Sequence, residues 1–218
     1  MPSRALLRAL TELLESDGKT VPDREDRDAL LAAIGISSWL RFAIGVNANE
    51  PLPVGDDDAL TQAAAEFTRD HEIWRAYREC VIELRPPGVA PVRFHIDPAL
   101  PGPPPRDFPA SSFSVLTAWN PGSGEPRPND RANRRANERL AAHLDARLAE
   151  RWPAVNAPGT RWQEESFAVL GLDGDEAWRI GEAFGQRAIF HVEEGRPFLI
   201  ARRRGRVTRW EGLIRLAR

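Results

Sequence analysis

Thr117, Asn120, Asn133, Asn137, Ser166 and Gln186 are the side chains whose types and spacing point most directly to ligand chemistry. Thr117-Ala118-Trp119-Asn120-Pro121 closes an apolar run that starts at Phe113. Further on, Asn133, Asn137, Leu140, Leu144 and Leu148 recur at the spacing of one helical stripe. The leucines mark that stripe as a core face, so both asparagines turn inward near its N-terminal end. A buried amide without partners costs about 1–3 kcal/mol, and asparagine is a poor helix former. Two readings meet this demand. In one, the amides form an internal network with Thr117 or with the backbone before the helix. In the other, Thr117, Asn120, Asn133, Asn137, Ser166 and Gln186 line a pocket at the strand end and address a polar ligand.

Glu165 is the ionisable group placed near this set, and it is the candidate acid or base. The competing reading is a salt bridge to Arg161 or Arg187, and its neighbour Glu164 reads as solvated. A loop of Gly122-Ser123-Gly124 precedes the long helix, whose first amides would suit a phosphate-bearing ligand. Other chemistry is excluded by spacing. His71, His95, His143 and His191 are scattered, and His95-x-Asp97 supplies two donors at most, so no metal site is expected. There is neither a Gly-x-x-x-x-Gly-Lys-Ser/Thr loop nor a Gly-x-Ser-x-Gly elbow, and no cofactor is expected. Cys80, the single cysteine, reads as packing.

The series Thr-Ala-Trp-Asn-Pro (117–121), Asn-x-x-x-Asn (133–137), Trp-x-Glu-Glu-Ser-Phe (162–167) and Phe-Gly-Gln-x-Ala (184–188) resembles an uncharacterised bacterial family. That family is domain-of-unknown-function family 3293, and the resemblance spans about Trp74 to Ala201. It implies a domain boundary and a set of hallmark positions, and no activity.

The elements that must position these groups follow from periodicity. Ser3 caps a helix with Leu6, Leu7, Leu10, Leu13 and Leu14 on one stripe, and Asp17-Gly18 ends it. A second helical stretch from Asp23 breaks into two pieces near Gly35, and a third starts after Asp56-Asp57-Asp58. From Trp74 the pattern becomes strands at 79–84, 92–96 and 113–119, a long helix at 129–152, and a strand at 166–172. A short helix at 175–184 and a hairpin of 188–192 with 197–201 complete the pattern. This order predicts an α+β fold: a mixed, mostly antiparallel sheet packed by a long helix and a short helix, after a small helical N-terminal unit. Twelve of the 19 prolines fall between Pro86 and Pro128, so 97–112 reads as a surface loop.

Charge divides the 218 residues in the same places. Residues 1–72, an acidic helical extension, carry 7 basic and 14 acidic groups. Residues 73–201 are the α+β domain. Residues 202–218 are an arginine-rich tail, and from 196 onward the chain carries 8 basic groups and 1 acidic group. The formal net charge of −2 is therefore a cancellation between the two ends. Lys19 is the sole lysine, a bias that a GC-rich genome produces. Arg202, Arg203, Arg204, Arg206 and Trp210 could bind nucleic acid through phosphate contacts and stacking, or pack against the acidic front. No apolar run is long enough for a membrane span, and nothing resembles a signal peptide, so a bacterial cytoplasmic protein is expected. Two functions stand: binding of a small polar or nucleotide-like ligand at the end of the 113–120 strand, or a macromolecular contact through the tail or the acidic front. Oligomeric state leaves no sequence signal.

Overall fold

Helix starts in this chain are set by short polar caps that satisfy the first backbone N–H groups. Ser3 Oγ accepts the Leu6 N–H at 3.1 Å and opens α1, Arg4–Ser16. Asp26 caps α2, Arg27–Gly35, and Ser37 caps α3, Ser38–Ala43, so the second helical stretch is split as its glycine and serines predict. Asp56 caps α4, Asp57–Arg69, and α5, His71–Arg78, follows. In this computed structural model, residues 3–47, 50–53, 55–97, 105, 108–121 and 127–217 are described.

The chain forms two compact units, Met1–Tyr77 with Arg202–Trp210, and Arg78–Ala201 with Glu211–Arg218. The first is centred on rings from α3, α4, α5 and the 202–210 segment. Trp39 meets Trp210 at 4.7 Å edge-on, and Phe67 stacks on Trp74 at 5.3 Å. Around them α1 buries Leu6, Leu10, Leu13 and Leu14 completely.

The strands are β1 Ile82–Leu84, β2 Val92–Asp97, β3 Phe113–Leu116, β4 Arg151–Asn156, β5 Glu164–Leu170, β6 Ala188–Glu193, β7 Arg196–Arg203, β8 Arg206–Glu211 and β9 Leu213–Leu216. They form one antiparallel sheet in the order β8-β7-β6-β3-β5-β4-β1-β2-β9. Two helices, α6 Asp130–Asp145 and α7 Gly174–Ala183, complete the α+β fold expected from the order of elements. Gly212 N–H donates to the Pro197 carbonyl at 3.2 Å, at the start of β7. The next residues, β9, pair with β2 at the far end of that order. Residues 206–216 therefore supply both terminal strands of that order, β8 and β9. Residues directly opposite in a ladder share a face. Ile82, Asn156 and Glu164 are aligned across β1, β4 and β5, with Ala154 opposite Ser166 on the same face.

Several boundaries differ from the periodicity reading. The helices run on to Arg78 rather than stopping at 72, because 71–78 form α5 with Trp74 buried. The long helix stops at Asp145 rather than near Trp152, and Arg151–Asn156 is β4, which the stripe concealed. Leu148 explains the error: it has φ of 54° and is 94% exposed, so it belongs to no core face. The first two strands are confirmed in place but β1 is short, and β3 ends at Leu116 rather than Trp119. Residues 202–218, read as an arginine-rich tail, carry the end of β7 and all of β8 and β9. Among the described residues no helix is long and apolar enough to cross a membrane. The Gly122-Ser123-Gly124 loop and most of the proline-rich 97–112 segment lie outside the described residues.

Candidate functional site

Where β3 stops, the backbone of 117–120 loses its ladder partners, and buried peptide groups must find others. Side chains from α6 and from the α7–β6 turn supply them. Asn137 Oδ1 accepts the Ala118 N–H at 2.9 Å, and its Nδ2 donates to the Glu165 carbonyl at 3.0 Å. Thr117 Oγ1 donates to the same carbonyl at 2.7 Å and accepts from the Trp119 N–H at 3.0 Å. Gln186 Nε2 donates to the Trp119 carbonyl at 3.0 Å. Asn133 Oδ1 accepts the Asn120 N–H at 2.9 Å, while its Nδ2 donates to Asn120 Oδ1 at 3.1 Å and to the Pro128 carbonyl at 3.3 Å. Asn120 sits at φ of 49°, a left-handed conformation that asparagine tolerates better than most residues. Thr117, Asn133, Asn137 and Gln186 are all buried. Their polar atoms thus brace one loop, as the internal-network reading describes.

The brace leaves one side chain to do something else. Asn120 Nδ2 donates to Glu164 Oε1 at 3.1 Å. Residues alternate faces along β5, so Glu164 and buried Ser166 point one way while Glu165 points the other and is exposed. The glutamate expected in solvent is therefore the partly buried one, and the glutamate placed among the amides contributes only its carbonyl. The signal was present in sequence: running the alternation two residues back from Ser166 puts Glu164 on the inner face. Ser166 Oγ donates to the Glu164 carbonyl at 3.3 Å.

Burial pushes the Glu164 carboxyl up to about 7, against the opposing pull of the Asn120 amide and the Arg127 charge. Arg127 lies over the Trp162 ring, 3.7 Å from its centroid. Across the ladder from Glu164 stands Asn156, whose Oδ1 is buried and without a hydrogen-bond partner among the described residues. Periodicity singles out neither Asn156 nor Arg127: Asn156 lies beyond the helix expected over 129–152, in a stretch with no expected element, and Arg127 stands alone between prolines. Cys80 is buried, and its thiol is pushed up to about 12, chiefly by burial. Such a thiol is inert.

Every hallmark side chain of this site falls within one stretch of chain. The family model described as Protein of unknown function (DUF3293) matches residues 116–189. The chain resembles DUF3293 over that stretch. The match is narrower than the span from 74 to 201 that the motifs suggest, and it contains all four of them. Thr117, Asn120, Asn133, Asn137, Asn156, Glu164, Ser166 and Gln186 thus all lie in the DUF3293 stretch. No curated protein and no solved structure matches the chain.

The arginines of 202–210 are engaged within the first unit. The buried Arg203 guanidinium donates to the Ala43 carbonyl at 3.0 Å and the Ala63 carbonyl at 2.8 Å, with Phe67 and Trp74 against its faces. Arg204 pairs with Asp56 at 2.6 Å, Arg206 pairs with Glu50, and Arg202 donates to the Gly205 carbonyl at 3.0 Å. Trp210 is 1% exposed and donates to Ser38 Oγ at 3.2 Å. Among the described residues no group of three or more His, Cys, Asp or Glu is placed to hold a metal ion.

Proposed function

We propose that the DUF3293 stretch binds a small polar ligand at the end of the sheet, where Glu164 and Asn156 face it across β5 and β4. The observation that carries this reading is the buried, unpartnered Asn156 Oδ1 beside a carboxyl pushed up to about 7. Buried acceptors are almost always satisfied, and a ligand presenting N–H or O–H donors would satisfy this one. A carboxyl that titrates near neutrality both accepts and donates, which fits the donor–acceptor edge of a nucleobase or nucleoside. The amides of Asn133, Asn137 and Gln186 then have an indirect role: they hold the 117–120 backbone so that the Asn120 side chain reaches Glu164. The second reading, nucleic acid or protein contact through residues 202–210, finds less support, because those arginines and Trp210 already have partners.

Thermal-shift and calorimetric titration of the full chain against nucleobases, nucleosides and nucleotides tests the proposal. Glu164→Gln and Asn156→Ala are expected to weaken the binding found by tenfold or more, while Glu165→Gln leaves it unchanged. Affinity should change with pH around neutrality in the parent chain and not in Glu164→Gln. If no compound binds, or if both inner-face variants bind like the parent, the reading is wrong.

A further inference from the structure

The outward face of α6 carries Arg131, Arg134, Arg135 and Arg139, all exposed and none with a carboxylate partner among the described residues. Three other arginines of the second unit do have carboxylate partners. Arg85 and Arg93 both pair with Glu83 at 2.7 Å, and Arg151 pairs with Asp145. Arg131, Arg135 and Arg139 follow at i, i+4 and i+8, about 6 Å apart along the axis, with Arg134 on their flank. Like charges at this spacing oppose helix formation, and the face retains only Glu138 and Asp130 against them. Next to the helix start, the exposed Arg127 and Arg161 both lie against Trp162, at 3.7 Å and 5.1 Å from its ring.

A row of four guanidinium groups facing only two carboxylates asks for a polyanion with regularly spaced charge. An indole flanked by arginines adds a platform on which bases stack. An acidic peptide would use the first feature and leave the second idle. We infer that this face, from Arg139 on α6 to Trp162, binds single-stranded nucleic acid, the phosphates lying along the arginines and a base near Trp162. This inference does not rest on the ligand reading above, since it uses neither Glu164 nor Asn156.

Fluorescence anisotropy of the full chain with labelled single-stranded RNA, single-stranded DNA and duplex DNA tests it, between about 50 and 200 mM salt. Binding to a single strand is expected, with log K falling against log salt at a slope of about −3 for four or five phosphate contacts. Changing Arg131, Arg134, Arg135 and Arg139 together to Gln should weaken it tenfold or more and flatten that slope. These side chains are exposed and Gln forms helices well, so an unchanged circular dichroism spectrum shows that the loss is not unfolding. Trp162→Ala should lower affinity without altering the slope. Changing Arg202 and Arg206 to Gln should have no effect. The inference is overturned if no strand binds at low salt, if the four-Gln variant binds like the parent, or if polyglutamate competes as well as nucleic acid.

Discussion

Asn120 and Asn133 are joined by two hydrogen bonds that run in opposite directions. Asn133 Oδ1 accepts the Asn120 backbone N–H at 2.9 Å, and Asn133 Nδ2 donates to the Asn120 side-chain Oδ1 at 3.1 Å. The pair fixes the left-handed Asn120 backbone and aims its remaining amide hydrogens at Glu164. A residue on a helix thereby sets the direction of a side chain on a loop, and that side chain holds the carboxyl on a strand.

Removing the helix end of this arrangement should be costly. Asn133→Ala strands a backbone donor and a side-chain acceptor, and each unpaired buried group costs about 1–3 kcal/mol. Asn133→Asp keeps the acceptor for the Asn120 N–H but buries a carboxyl against the Asn120 Oδ1 and Pro128 carbonyl oxygens, so it should cost at least as much. The urea midpoint of each variant, followed by tryptophan fluorescence, orders them. Equal midpoints for Asn133→Ala and the parent would show that the pair holds nothing in place.

Glu164 should make stability fall as pH rises. Its carboxyl moves from 4.5 to about 7 on folding. Below 4.5 both folded and unfolded chains keep the proton, and the group exacts no penalty. Between 4.5 and 7 the unfolded chain gives up its proton and the folded chain does not, so stability declines, then levels off above 7. The total effect is about 3 kcal/mol. Urea midpoints at pH about 5 and about 8 measure it, and Glu164→Gln should abolish this component of the difference.

Arg203 is a structural cation. Its guanidinium donates to two carbonyls, of Ala43 and Ala63, and lies against Phe67 and Trp74. Arg203→Met keeps the stem and leaves both carbonyls unpaired, which should destabilise the chain by about 2–4 kcal/mol. Arg203→Lys restores the charge without the planar fork and should recover only part of that. Denaturation of the three chains side by side decides it, and a Met variant as stable as the parent would remove the assigned role.

Gly181 lets α7 lie close to β6. A Cβ there would come within 2.5 Å of Ile189 Cγ2, closer than any unstrained contact. Gly181→Ala should therefore cost about 1–3 kcal/mol through overpacking, despite a gain of roughly 1 kcal/mol in helix propensity. Combining it with Ile189→Ala, which deletes the clashing methyl, should give less loss than the sum of the single changes. Additive losses would mean that the two positions do not press on each other.

The helical front was legible because its caps and leucine stripes are local: Ser3 and Asp56 each begin a helix within a few residues of the apolar positions they precede, although the second helix starts at Arg27 behind Asp26 and not at Asp23. The importance of Thr117, Asn133, Asn137 and Gln186 was legible for a similar reason, since amides on an apolar stripe announce a need for partners. Their partners were not. The stripe through Leu148 hid β4, and with it Asn156, because a strand begins only three residues after that leucine.

Residue types and short-range spacing alone determined the α+β class, the helix starts, the cancelling charges of the two ends and the demand for buried hydrogen bonds. Only the tertiary structure decided how the demand is met: backbone groups of 118–120 take up the amides, Glu164 turns inward in place of Glu165, and Arg203 finds carbonyls far along the chain. The physical reason is range. Caps and periodic stripes act between neighbours in sequence, whereas a hydrogen-bond partner or a shared sheet face depends on strand register, which is set by every strand that joins the sheet.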